Sequence, residues 1–218
     1  GQGVPQDFAE ALVWHHKAAE QGSAWAQYAL GDVYESGKIT PPNFSKSAVW
    51  YRKAAEQGSD LAQDALGTLY AKGRGVPQDF VEAAVWYRKA AEQGDEYAQY
   101  TLGRLYKKGR GVPQDFAEAA TWYRKSAEQG NAQAQYVLGG LYKNGEAVSQ
   151  DYQSAYIWLS LSVKNRCYMK GFGKLLNVVA QKLSAVQLES AESTIAEYLE
   201  LYGTVRLSLI HISEPTRP

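Results

Sequence analysis

The stretch GVPQDFAEAATWYRKSAEQG at residues 111–130, continued by AQAQYVLGGLYKNG at residues 132–145, decides the fold because the chain repeats it. Its central Trp122 has counterparts at Trp14, Trp50, Trp86 and Trp158, each 36 residues from the next. The same step joins Gly22, Gly58, Gly94 and Gly130, then Leu30, Leu66, Leu102 and Leu138, then Tyr34, Tyr70, Tyr106 and Tyr142. A period of a few tens of residues marks one supersecondary unit copied along the chain, each copy burying an apolar face of its neighbour.

Within one copy the helix boundaries are readable. Asp79 ahead of Phe80, Val81 and Glu82 has the spacing of a capping box, with Pro77 just before it. The helix that starts there carries Ala83, Trp86, Tyr87, Ala90 and Ala91 as an apolar stripe, and Gly94 closes it after about 15 residues. Asp95 opens a second helix with Ala98, Leu102, Gly103, Leu105 and Tyr106 on its buried side, ended by Gly109. So short a connection makes the pair a helical hairpin. Gly103 recurs as Gly31, Gly67 and Gly139 although glycine costs up to about 1 kcal/mol inside a helix. The expected reason is close approach of another helix backbone.

Composition bounds the function classes. The chain has 218 residues, 45% hydrophobic, 12% aromatic and 21% charged, enough for a packed core under a soluble surface. Lys plus Arg and Asp plus Glu both total 23, so no global field draws it to nucleic acid or to an anionic membrane. No segment approaches the roughly 18 apolar residues of a membrane span. A lone Cys167 excludes an internal disulfide framework and a cysteine-rich metal site. Such an array suits cytosol and periplasm alike. Both ends read as unnatural. Gly1 to Pro5 match the middle of a repeat, Gly109 to Pro113, and any signal peptide would precede them. Leu207 to Pro218 break the helical pattern, resemble a translated sequencing adaptor, and demote His211 with them.

The string from Gly111 to Gly145 closely resembles the Sel-one-like repeat, a relative of the tetratricopeptide repeat, and the match extends over residues 1–164 with the first copy truncated. The expected fold class is all-α, a right-handed α-solenoid of 36-residue helix-turn-helix repeats (α/α superhelix). Lys38 to Asn43 replace the usual Arg-Gly-Val-Pro-Gln-Asp loop, and Arg166 stands where the next closing glycine was due. Residues 165–203, with a helix through about Leu183 and another capped by Ser184 and Gln187, resemble the terminal cap of bacterial members; residues 204–218 are set aside as the tail. The resemblance implies a scaffold that binds proteins or peptides on a concave face.

Comparison of copies within the chain supplies an independent argument, which favours an adaptor over the alternative of a purely structural spacer, since a spacer has no reason to vary one face. Glycines, leucines and tryptophans stay fixed, while five positions of the second helix vary, and their spacing places them on one face. They read Trp25, Tyr28, Asp32, Glu35 and Ser36, then Leu61, Asp64, Thr68, Ala71 and Lys72. The next two copies read Tyr97, Tyr100, Arg104, Lys107 and Lys108, then Gln133, Tyr136, Gly140, Lys143 and Asn144. In related repeats this helix lines the concave surface. Aromatic side chains with arginine are enriched at binding hot spots, and here they accompany acidic early rungs and basic later ones. The expected ligand is a protein or peptide whose acidic end lies over the third and fourth copies, bound by a monomer.

Other constellations carry no chemistry. His15 and His16 are adjacent in a helix, point about 100° apart and cannot chelate one ion; they read as surface histidines. The Trp86-Tyr87-Arg88-Lys89 string could form a cation–π cage, but its regular recurrence argues for packing. Gly73-Arg74-Gly75 is half a dinucleotide fingerprint without a strand around it. Glu92 and Glu128 mark equivalent places in two copies and do not form a catalytic dyad. Cysteine-rich relatives have been described as binding or hydrolysing β-lactams, yet this chain lacks Ser-x-x-Lys, Gly-x-Ser-x-Gly and the cysteine pairs. No enzyme activity, cofactor or metal is expected.

Overall fold

The structure is a computed structural model, and it describes residues 8–37, 39–165 and 172–213, with side chains from 12 to 200 outside positions 38 and 166–172. Cys167, Arg166 and the repeat-like Gly1 to Pro5 lie outside the described residues. The described residues are α-helical and contain no strand. Two compact units divide the chain, Gly1–Gln114 and Asp115–Pro218. The first holds the hairpins α1 (Phe8–Glu20) with α2 (Ala24–Ser36), α3 (Phe44–Glu56) with α4 (Asp60–Lys72), and α5 (Phe80–Glu92) with α6 (Glu96–Lys108). The second holds α7 (Phe116–Glu128), α8 (Ala132–Asn144), α9 (Tyr152–Lys164), α10 (Phe172–Ala180) and α11 (Ala185–Ser213). Helices α1 to α9 have 13 residues each, about 20 Å of rise.

Capping explains why the helices begin where they do. The Asp79 carboxylate accepts the N–H groups of Val81 and Glu82, and Asp95 accepts that of Ala98. The capping box expected at Asp79 is only half formed, because the Asp79 N–H donates to the Tyr70 carbonyl, which ties this loop, like those ending at Asn43 and Asp151, to the helix before it. Ser184 and Gln187 do form both halves, at 3.0 and 3.3 Å. The helix they open does not break at Leu207 as expected. It continues to Ser213, since no proline intervenes before Pro215 and a glycine such as Gly203 weakens a helix without stopping it. Its predecessor α10 ends at Ala180, short of Leu183, in turns that bond Lys182 to Val179 and Leu183 to Ala180.

Fully buried Ala54, Leu66, Ala90 and Leu102 fill the first unit's core, and their small or compact side chains let the helices close on one another. In the first unit the recurring helix glycine is a notch for a ring, where a backbone approach was expected; at Gly139 a neighbouring backbone does come close. A β-carbon at Gly31 would overlap the Tyr51 ring, and one at Gly67 would lie 3.1 Å from the Tyr87 ring. At Gly139 the occupant is Leu159, 2.7 Å from such a carbon, with the Ala155 carbonyl at 3.2 Å. Helices α3, α5 and α9 thus lay a tyrosine or leucine across α2, α4 and α8.

A buried amide ladder stitches the copies. Gln27, Gln63, Gln99 and Gln135 donate to the carbonyls of Ala19, Ala55, Ala91 and Ala127 at 3.0–3.1 Å. The side-chain oxygens of Gln27 and Gln63 in turn accept from Gln57 and Gln93, 30 residues on, at 2.7 and 2.8 Å. In the second unit Asn165 donates to Gln135 at 3.0 Å. Burying an unpaired amide costs several times what its bond contributes, so each rung fixes register.

The loops differ more than their sequence spacing implies. Gly75 and Gly111 sit at φ +70° and +72°, where a side chain would run into the backbone of Phe44 and Phe80. Arg74 and Arg110 lie over those phenylalanine rings. In the fourth copy Ala147 takes this position at φ 62°, and Phe116, which the loop would cover, is 46% exposed.

Candidate functional site

The varying positions of α2, α4, α6 and α8 all lie outside the buried set. In the first unit Trp25, Leu61 and Tyr97 occupy the same place in three successive copies and are 69%, 51% and 60% exposed. Asp32, Arg104 and Lys108 are exposed as well, while Tyr28, Glu35, Asp64, Thr68, Tyr100 and Lys107 are half-buried. In the second unit Gln133 is exposed and Lys143 half-buried. Tyr136 packs against the cluster of Ala155, Leu159 and Val179, to which α10 contributes Leu175 and Leu176, so α10 shares the cover of that copy's inner stripe.

Fixed residues of the first helices reach this stripe, which the sequence alone did not reveal. Tyr51 donates to the Glu35 carboxylate at 3.1 Å and its ring lies 5.7 Å from Tyr28. One copy later the Tyr87 hydroxyl meets the Thr68 hydroxyl at 2.9 Å. Burial, joined by the neighbouring Glu35 carboxylate, holds the Tyr51 phenol far above the usual range, and burial pushes Tyr87 up to about 12. Tyr28 is also raised, first by burial and then by Asp32, Asp64, Glu35 and Asp60. Asp64 is pushed up to about 7 by burial and by Asp95, against the pull of Lys72. The acidic side chains of the early rungs thus gather around Tyr28.

The later rungs are cationic. A cavity of about 310 Å³ opens among α4, α5, α6 and the loop after α6, lined by Lys72, Arg104, Lys108 and Arg110 with Thr68, Ala71, Phe80, Tyr87, Thr101 and Leu105. No aspartate or glutamate lines it. The Arg104 guanidinium lies over the Tyr100 ring, 5.7 Å from its centre.

The Trp-Tyr-Arg-Lys strings pack internally. Lys89 covers the Trp86 ring and Lys125 covers Trp122, while Arg52, Arg88 and Arg124 bond the hydroxyls of Tyr70, Tyr106 and Tyr142. His16 holds the same place in the first copy, bonding Tyr34 at 3.1 Å and facing Trp50 edge-on, and His15 rests 5.3 Å from Trp25. Both histidines are half-buried among aromatic rings, which corrects their reading as plain surface residues. Among the described residues no group of three or more His, Cys, Asp or Glu is placed to hold a metal ion. No described helix is long and apolar enough to cross a membrane.

The Sel1 repeat pattern matches residues 1–23, 26–59, 60–95, 96–131 and 132–165. The chain belongs to the Sel1 repeat family. Among solved structures, a Sel1 repeat protein from Oxalobacter formigenes is 38% identical over 78% of this chain and 69% of its own, with a TM-score of 0.73. The protein c5321, a protective antigen of uropathogenic Escherichia coli strains with an SLR fold, is 32% identical over 99% of this chain, with a TM-score of 0.59. The Sel1 chain spans 54% of that antigen's length. Among curated protein sequences none matches. Sel1 and related repeats generally act as scaffolds for protein–protein interaction.

Proposed function

We propose that this Sel1 repeat chain is a non-catalytic adaptor that binds a protein or peptide on the stripe formed by α2, α4 and α6. The observation that carries the reading is the row of Trp25, Leu61 and Tyr97. Three large apolar side chains stand exposed at one repeat position while the positions beside them are fixed for packing. Around the row, Tyr28 and Tyr100 offer flat half-buried rings, and charge changes from Asp32, Glu35 and Asp64 to Arg104, Lys107 and Lys108. Large rigid rings bury area at little entropic cost, and surrounding charge selects the partner's orientation. In the second unit Gln133, Tyr136 and Lys143 are the corresponding contact candidates, with Tyr136 the least accessible to a partner.

Panning a displayed library of twelve-residue peptides against the purified chain tests the reading. Enriched peptides are expected to bind the variant Trp25→Ala/Leu61→Ala/Tyr97→Ala at least tenfold more weakly by fluorescence anisotropy, with unchanged helicity because the three side chains are exposed. Undiminished affinity would remove this surface from consideration.

A further inference from the structure

The cationic cavity gains meaning from its counterpart one copy earlier. Around Tyr51 the scaffold satisfies the phenol hydroxyl with its own carboxylate, Glu35. A shift of 36 residues turns Glu35 into Ala71, Asp32 into Thr68 and Ser36 into Lys72. Tyr51 becomes Tyr87, whose hydroxyl is left with only the neutral Thr68. Where the first interval has a built-in anion, the second has a methyl group, an opening of about 310 Å³ and four cations.

We infer that this opening receives acidic side chains of an extended partner segment, a carboxylate supplied from outside taking the part that Glu35 plays within the chain. The inference rests on the adaptor reading and names the chemistry of its basic end. Arg104 and Lys108 come from α6, Lys72 from the last turn of α4, and Arg110 from the following loop. The guanidinium groups can take a carboxylate in two parallel bonds, whereas the lysines contribute charge with less directional demand. Arg110 is braced over Phe80 and Arg104 over Tyr100, so both cations are partly pre-positioned before a ligand arrives.

The test uses the full chain and a fluorescein-labelled peptide of six glutamates, its six-glutamine counterpart, and inorganic phosphate as a free-ion competitor. The glutamate peptide is expected to bind at least tenfold more tightly than the glutamine peptide, and Arg104→Gln or Lys108→Gln to weaken it about three- to tenfold. Lys89→Gln, which removes the same charge from over the Trp86 ring, should leave binding within twofold. The sharpest variant is Ala71→Glu. It restores the internal carboxylate and should abolish peptide binding while melting at or above the wild-type temperature. Equal losses from Lys89→Gln and Arg104→Gln, or unchanged binding by Ala71→Glu, would overturn the inference. So would displacement by phosphate beyond that of sodium chloride at equal ionic strength, which would mark a free-ion site. The triple variant at Trp25, Leu61 and Tyr97 separates the two ideas: retained glutamate binding with unchanged affinity for selected peptides sinks the adaptor stripe alone, and the reverse sinks the cavity alone.

Discussion

Around Tyr51 and around Tyr87 the first unit lays down the same frame twice: a ring in a glycine notch, a glutamine bonded to a glutamine 30 residues away, and a later glycine loop pressed on the start of the intervening helix. The side chains placed on the two frames are opposite in character. One carries Asp32, Glu35 and a carboxylate-bound phenol; the other carries Arg104, Lys108 and a cavity. Packing positions and chemical positions are therefore separable within 36 residues, because the notch, ladder and loop lie beneath the helices and the variable side chains lie above them. Such a division lets one scaffold change its ligand preference rung by rung without re-solving its core.

The hardest way to break the comparison is to damage what the intervals share. Gly111→Ala combines an unfavourable backbone angle with a collision against the Phe80 carbonyl, and Gly75→Ala does the same at Phe44. Each is expected to cost about 3 kcal/mol or more, read from urea denaturation by far-ultraviolet circular dichroism. A smaller and unequal effect should follow at the notches. Gly31→Ala overlaps the Tyr51 ring and should destabilise by about 2 kcal/mol. Gly67→Ala meets Tyr87 only at 3.1 Å, so a helix-propensity gain of up to about 1 kcal/mol should leave it near neutral by the same measurement.

A pH-dependent change tests the acidic side alone. The Asp64 carboxyl titrates near 7 in the fold against 3.8 ordinarily, so it binds a proton more readily folded than unfolded. Its contribution is fully present below about pH 4 and is lost as the pH rises through about 7. Asp64→Asn, which imitates the protonated group, should therefore stabilise the chain by about 1–2 kcal/mol at pH 8 and not at pH 4, as followed by thermal melts across that range. A gain of equal size at both pH values would show that burial of charge is not what distinguishes this rung.

The period, the hairpins and most caps were legible because they depend on local chemistry: Asp79 and Asp95 at helix starts, Gly94 and Gly109 at ends, Trp86 at a fixed step. The notch was legible as a small residue, but its occupant was not, since a glycine records only that something comes close. Buried Gln63 recurs at a step of 36 and so does exposed Gln93, yet their bond spans two copies and no pattern within either one shows it. The cavity was hidden for a related reason. Lys72, Arg104 and Arg110 come from three separate segments, and only the fold brings them to the hydroxyl of Tyr87. His16 misled because its neighbour in sequence is irrelevant to it; its partners are Tyr34 and Trp50.

The amide ladder also bears on how such a chain can change length. The two rungs of the first unit present the same donor in one direction and the same acceptor in the other, with Gln57 meeting Gln27 as Gln93 meets Gln63. Excising one whole copy in register would bring Gln93 to Gln27, and the splice would be chemically silent. Removing any other number of residues would strand an amide in the core. A lineage built on this frame can gain or lose rungs only in whole numbers, and each rung gained arrives with its own outward side chains to vary.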